Sequence, residues 1–236
     1  MGYNFIWPYG KKVVYLHCKV PQIYCFSHKI SYMLNNLNII KPLLNFTDEG
    51  DFYMLYIFKR KKDQPEGERD NHQSVRTIKT YCIDSIQYLE KRMDEIVGLC
   101  EMFKARAYIH IQKQNHKDVS LEMMMALAQK IKNGQHNQKN LFDSVVGEMK
   151  TYEKRWIVDI DTKDERITER IVNLINGIRP DGNKVEAIIP TKNGYHLITK
   201  RFDVMEFKKY MQLGGDVPDI QKKNPTLLYY PNSLDI

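Results

Sequence analysis

Hydrophobic positions recur along the chain with two different spacings, which separate the predicted strands from the predicted helices. Aromatic and branched residues cluster in short runs that predict strands, at 52–60, 75–83, 105–111, 155–161, 185–189, 195–201 and 226–230. Apolar residues at helical spacing predict helices, one capped by Asp84 and running to 103, then 118–133, 141–149, 163–177 and Asp203 to Gln212. The pattern predicts an α+β protein, and residues 1–30 remain unassigned.

The order of elements in residues 155–230 is β-α-β-β-α-β, which is the ferredoxin-like or RRM-like split βαβ pattern. Asn193-Gly194 predicts a tight hairpin, because both residue types tolerate a positive φ. In this arrangement the first and third strands are central neighbours. We therefore predict an RRM-like unit over 151–236, preceded by a smaller αβ companion module over 31–150.

Two acids in the first strand of this unit are candidate metal ligands. Asp159 and Asp161 share one strand face, while Trp156, Val158 and Ile160 share the apolar face. Like charges that lie about 6.6 Å apart along a strand repel each other unless a cation lies between them. A pair of Mg²⁺ or Mn²⁺ ions suits this arrangement. The alternative is a solvated strand end whose acids cap the following helix.

The hairpin and the third strand supply candidate phosphate contacts. The turn exposes backbone N–H groups beside Lys192 and Asn193, and such a turn binds phosphate oxygens. Alternation directs His196 and Lys200 toward the face that carries the two acids. Together these residues predict a pocket for a nucleoside triphosphate.

A third acid would complete a two-metal site. Asp216 and Asp219 both lie shortly before the last predicted strand, and we favour Asp219. The alternative is that both are ordinary loop acids.

Composition and charge narrow the class of protein. The 236 residues are 42% hydrophobic and 28% charged, which is typical of a folded soluble chain. The net charge of +7 is compatible with a polyanionic partner. No apolar run reaches the roughly 18 residues of a membrane helix.

Two features of the sequence predict a cytoplasmic location. The four cysteines form no C-x-x-C pair and predict reduced thiols. We also expect no secretory signal, because the N-terminus contains neither a long apolar stretch nor a small-residue cleavage site.

Two basic features in the first half stay open between function and structure. The run from Lys59 to Lys62 ends a predicted strand, and it is either a nucleic-acid contact or a solvated loop edge that discourages strand aggregation. Arg106 and His110 share a face of the strand at 105–111, where a functional role is open.

The motifs together resemble the catalytic domain of the archaeo-eukaryotic primase, or primase-polymerase, superfamily. The resemblance covers about residues 150–236 and rests on Trp156 to Asp161 as an apolar run into D-x-D, on Gly194-Tyr195-His196 as small-x-His, and on Asp219 as the apolar-Asp step. The whole chain also resembles phage-encoded proteins, which implies the host cytoplasm as its location. Tyr229 and Tyr230 stand where the family often has a basic residue.

The resemblance implies a metal-dependent nucleotidyltransferase that acts on nucleoside triphosphates and DNA or RNA in nucleic-acid replication. Asp159, Asp161 and Asp219 would hold Mg²⁺ or Mn²⁺, and His196 would contact the phosphates of the incoming nucleotide. No zinc cluster or helicase segment is present in the sequence, so priming would need partner proteins.

Three other functions remain open. A non-catalytic single-strand-binding module uses the same fold, although the open face carries acids rather than aromatics. A nuclease or other phosphoesterase could use the same acids with His196 as general base. A relative that has lost activity would act as a structural or regulatory protein.

Overall fold

The structure, a computed structural model, describes residues 33–64, 75–149, 153–212 and 216–231. These described residues belong to one compact unit. The strands in the described residues are β1 (Leu34–Asn35), β2 (Asp51–Arg60), β3 (Val75–Ile83), β4 (Arg106–Ile109), β5 (Gln114–Asn115), β6 (Trp156–Ile160), β7 (Val185–Pro190), β8 (Tyr195–Thr199), β9 (Asp219–Gln221) and β10 (Thr226–Tyr230). The helices there are α1 (Leu37–Ile40), α2 (Ile86–Phe103), α3 (His116–Lys132), α4 (Leu141–Glu148), α5 (Glu165–Gly177) and α6 (Val204–Gln212). The chain is α+β, as the sequence predicts.

Within the described residues the strands form two antiparallel sheets. The first sheet has the order β1-β10-β4-β2-β3, with β5 paired to one end of β2. The second has the order β7-β8-β6-β9. The predicted neighbours β6 and β8 are indeed paired.

The predicted position of the last strand is wrong. Thr226–Tyr230 forms a strand with the predicted bounds, but it pairs with β1 and β4 in the first sheet. The fourth strand of the second sheet is instead the short β9, which pairs with β6. The physical reason is that every residue of β10 is buried, so its pattern shows no single apolar face that assigns it to one sheet.

Among the described residues, four apolar clusters build the interior. The largest joins the sheets, since Ile157 and Ile198 of the second sheet pack with Leu228 of the first and with α2. Val158 and Leu197 face the opposite way, against α5 and α6. These opposed directions follow from the alternation of side chains along β6 and β8.

The remaining two clusters cover the other face of the first sheet. Phe52 and Met54 of β2 pack against α3 and α4. Further along the same sheet, Tyr108, Leu227 and Tyr230 form a small cluster with Phe58 packed beside it.

The helix ends follow local capping chemistry. The cap of α2 is Ser85, whose Oγ accepts a hydrogen bond from the Tyr88 N–H at 3.2 Å, so the prediction of Asp84 as the cap is wrong by one residue. Asp203 caps α6 as predicted, because its Oδ1 accepts hydrogen bonds from the N–H groups of Met205 and Glu206.

Two further observations concern the cysteines and the helices of the described residues. Cys82 and Cys100 are free thiols, whereas Cys18 and Cys25 lie outside the described residues. In the part of the chain that the structure describes, no helix has the length and apolarity to cross a membrane.

Candidate functional site

Three of the candidate side chains meet across three adjacent strands. In the register of the second sheet, Asp159 of β6 lies directly opposite His196 of β8 on one side. On the other side Asp159 lies directly opposite Asp219 of β9. Directly opposed residues point to the same face of a sheet, so the two acids and the imidazole share one face. This arrangement favours Asp219 over Asp216, because Asp219 pairs with Asp159 whereas Asp216 lies before β9.

The imidazole of His196 is held between two strands from different sheets. Its Nε2 is 3.5 Å from Oδ1 of Asp159, and its Nδ1 is 2.9 Å from Oγ1 of Thr226 in β10. Burial lowers the pKa of His196 to about 4; the charge of Asp161 opposes this shift, and the nearby Arg60 adds to it. The ring is therefore neutral at pH 7.

The surroundings of Asp159 disfavour its charged form. Burial raises its pKa, and the negative charges of Asp161 and Asp219 raise it further. Arg60 and the amide of Gln221 act in the opposite direction. Burial is the larger cause of this rise, and the charges of Asp161 and Asp219 add a repulsive part that a bound cation would relieve.

Gln221 is a site residue that the sequence analysis missed. Its Nε2 donates hydrogen bonds of 3.2 Å to Oδ2 of Asp159 and to Oδ2 of Asp219. Its own Oε1 accepts a hydrogen bond from Asn224 at 3.0 Å. The amide thus bridges two acids on neighbouring strands. The signal was weak, because a three-residue strand is too short to predict from its pattern.

A cleft with a volume of about 340 Å³ is lined by residues of both sheets. Asp159, Asp161 and His196 line one wall, together with Lys192 and Asn193 of the hairpin. The opposite wall comes from the first sheet, and its lining residues include Phe58, Arg60, Arg106 and Tyr108. The cleft therefore places acids and an imidazole opposite cationic and aromatic groups.

The sequence does not decide whether Arg60 and Arg106 have a functional role, and both line the cleft. Arg60 ends β2 and acts on the pKa of both Asp159 and His196, so it belongs to the site rather than to a remote loop edge. Arg106 forms a buried ion pair of 2.5 Å with Asp63, and its guanidinium lies 4.8 Å from the centre of the Tyr230 ring. His110 lies instead in a separate small pocket beside Tyr56.

The hairpin between β7 and β8 lies where it was predicted, but its glycine is required for a different reason. Neither Asn193 nor Gly194 has a positive φ, so that part of the prediction is wrong. The Thr191 N–H donates to the Gly194 carbonyl at 2.8 Å, and the Gly194 N–H donates to Thr191 Oγ1 at 3.1 Å. A Cβ on Gly194 would lie 1.8 Å from the carbonyl oxygen of Ile160, so only glycine fits there.

Lys200 does not join the cluster. It follows the end of β8 and is exposed, about 13 Å beyond His196 at the rise of a strand. It does not line the cleft. The prediction that Lys200 joins the site is therefore wrong, because Lys200 lies beyond the end of β8 and too far from the acids to act with them.

The described residues contain no group of three or more His, Cys, Asp or Glu side chains arranged closely enough to hold a metal ion as they stand. The donor chemistry nevertheless suits Mg²⁺ or Mn²⁺, which prefer carboxylate oxygens. The mutual repulsion at Asp159 favours a cation at the same place.

Comparisons with known proteins give no neighbour for this chain. No protein-family model matches it, and neither a curated protein nor a solved structure does so.

Proposed function

We propose that the protein is a metal-dependent nucleotidyltransferase of the primase-polymerase type, which joins a nucleoside triphosphate to DNA or RNA. The observation that carries the proposal is the alignment of His196, Asp159 and Asp219 across β8, β6 and β9, with His196 and Asp159 lining a cleft. Those three residues come from three separate motifs of the sequence, and Asp161 lines the same cleft.

The acids would bind divalent ions. Asp159, Asp161 and Asp219 supply carboxylate oxygens, and bound Mg²⁺ or Mn²⁺ would lower the pKa of the attacking hydroxyl and neutralise charge on the leaving pyrophosphate. Gln221, which bridges Asp159 and Asp219 through hydrogen bonds, is the group that must adjust when an ion binds.

The cationic groups and the imidazole would position the triphosphate. Lys192 and Arg60 line the cleft and attract phosphate oxygens. In this role Nδ1 of the neutral His196 accepts a hydrogen bond from the Thr226 hydroxyl, so Nε2 carries the proton and can donate to a phosphate oxygen. Positioning and charge stabilisation supply most of the catalysis in phosphoryl transfer.

We infer a ferredoxin-like unit made of β6-α5-β7-β8-α6-β9, with β9 in the place first given to β10. Its support is the strand order β7-β8-β6-β9 with every pair antiparallel, which is the order that a split βαβ unit requires.

The test is incubation of the chain with labelled nucleoside triphosphates, a primer-template and Mn²⁺. We expect primer extension, with activity lost in Asp159→Asn and kept in the control Asp181→Asn, which changes an exposed loop acid. Shortening of the labelled strand would instead identify a nuclease. Binding of nucleic acid that is equal in the wild type and in Asp159→Asn, with no turnover in either, would identify a binding module.

A further inference from the structure

The cleft wall that belongs to the first sheet carries a flat aromatic surface. The rings of Phe58 and Tyr108 stack with their centres 4.5 Å apart and their planes 3° from parallel. Both residues line the cleft, and Phe58 is only half-buried. A parallel aromatic pair of which one ring is partly exposed can stack with another planar group.

This surface is fixed in place by its neighbours. Tyr230 packs in the same small cluster, and its ring lies 4.8 Å from the Arg106 guanidinium and 5.3 Å from Lys192 Nζ. Arg106 is itself held by the buried ion pair with Asp63. Groups that are already ordered lose little conformational entropy when a ligand binds, so the wall is suited to recognition.

The two walls of the cleft suit different parts of one ligand. The wall of the second sheet presents acids, His196 and the hairpin, which suit metal ions and phosphates. The wall of the first sheet adds Phe58, Leu227 and the ring of Tyr108, whose apolar surfaces do not bind phosphate. A volume of about 340 Å³ falls within the roughly 300–1,000 Å³ of small-molecule sites. The ligand that matches both walls has a polyanionic end and a planar apolar end.

We propose that the chain binds a free nucleoside 5′-triphosphate before any nucleic acid is present, with the base stacked on the Phe58–Tyr108 pair. This inference rests on the proposed function, because the triphosphate end uses the same acids, hairpin and His196. Stacking accepts any base, since every base has a π-face. The pair therefore sets affinity for nucleotides rather than a choice among them.

The experiment compares two probes with the full chain in Mn²⁺ and without nucleic acid. Isothermal titration measures the affinity for ATP and for inorganic tripolyphosphate, which has the phosphates but no base. Stacking on an aromatic side chain contributes about 1–3 kcal/mol per base, so we expect ATP to bind roughly 5- to 150-fold more tightly. CTP, GTP and UTP should bind within about tenfold of ATP.

Variants locate the effect. Phe58→Leu should bring ATP to within about threefold of tripolyphosphate, and Phe58→Tyr should restore the difference. Tyr108→Leu provides a second removal of the pair, should the first substitution disturb the strand. Tyr210→Leu is the matched control, because Tyr210 is an exposed aromatic residue on α6 that does not line the cleft.

The outcomes separate this inference from the function on which it rests. Tight binding of tripolyphosphate with no added affinity for ATP would overturn the stacking site and leave the proposed function intact. Failure of both probes to bind would count against the triphosphate site itself. Phe58-dependent binding of a single-stranded oligonucleotide, with ATP no better than tripolyphosphate, would assign the aromatic pair to a strand and overturn the inference.

Discussion

The α-carbon of Gly194 packs against the backbone of Ile160, and a Cβ added to Gly194 would come within 1.8 Å of the Ile160 carbonyl oxygen. The same Cβ would lie 2.8 Å from the backbone nitrogen of Thr162. This contact sets how closely the hairpin approaches the end of β6, where Asp159 and Asp161 lie. Glycine is required here by close backbone approach rather than by its φ.

Gly194→Ala should therefore separate the hairpin from the end of β6. The clashing atoms belong to the backbone and cannot rotate away, so we expect a loss of about 1–3 kcal/mol in the free energy of unfolding. Asp161 and Lys192 would move apart with it, and activity should fall. Urea denaturation and primer extension measure the two effects.

Gly98→Ala is the matched control for this substitution. Gly98 lies inside α2, and a Cβ there meets no described atom within 4 Å. Alanine is the better helix former by about 0.5–1 kcal/mol, so this variant should be more stable than the wild type. A Gly194→Ala protein as stable as the wild type would contradict the contact.

Thr226→Val should disturb His196 without changing the size of the side chain. Thr226 is fully buried and its hydroxyl lies 2.9 Å from Nδ1 of His196. Loss of this bond leaves a buried ring nitrogen without its partner, which should cost about 1–3 kcal/mol in the free energy of unfolding. Proton-nitrogen NMR of the imidazole should show a change in tautomer or environment, and Thr226→Ser should keep the wild-type spectrum.

This bond also explains why part of the site could not be predicted. The sequence placed Asp159, Asp161 and His196 together, because alternation within β6 and the neighbouring of β6 and β8 follow from local patterns. Thr226 enters from the first sheet, and its partner depends on how two sheets pack. No spacing in the sequence reports that packing.

The same limit applies to Arg60. Its run of basic residues is visible in the sequence, but a cationic loop edge and a cleft wall have the same composition. What distinguishes them is the proximity of Arg60 to Asp159 and His196, which the fold alone establishes.

The short strand β9 could not be predicted from its sequence either. Its three residues carry no strand pattern, and pairing with β6 determines its conformation.

Asp159→Asn should abolish stabilisation by Mn²⁺ and leave the apo fold intact. Burial and the neighbouring acids disfavour the charge of Asp159, so removing that charge should leave the melting temperature equal to or above that of the wild type. In the wild type, Mn²⁺ at 100 times its dissociation constant should add about 2.7 kcal/mol to the free energy of unfolding.

Thermal denaturation with and without Mn²⁺ measures both effects, and Asp181→Asn serves as the control. Equal stabilisation of wild type and Asp159→Asn by Mn²⁺ would place the ion elsewhere. A lower melting temperature of the apo variant would show that Asp159 has a structural role instead.

Asp51 should make the fold sensitive to acid in a defined window. Burial raises its pKa, but hydrogen bonds from Lys113, the Asp48 N–H and Asn115 outweigh burial and hold the pKa at about 2, below the ordinary 3.8. The folded state therefore favours the carboxylate. Its contribution is complete above about pH 4 and is lost as the pH falls toward 2.

The difference between the two pKa values corresponds to about 2 kcal/mol of unfolding free energy. Urea denaturation between pH 6 and pH 2 should show this loss in the wild type, and Asp51→Asn should lack that component of the pH dependence. The variant should be less stable than the wild type at pH 6 and should converge with it near pH 2. Parallel pH curves for the two proteins would show that the carboxylate is not held by these hydrogen bonds.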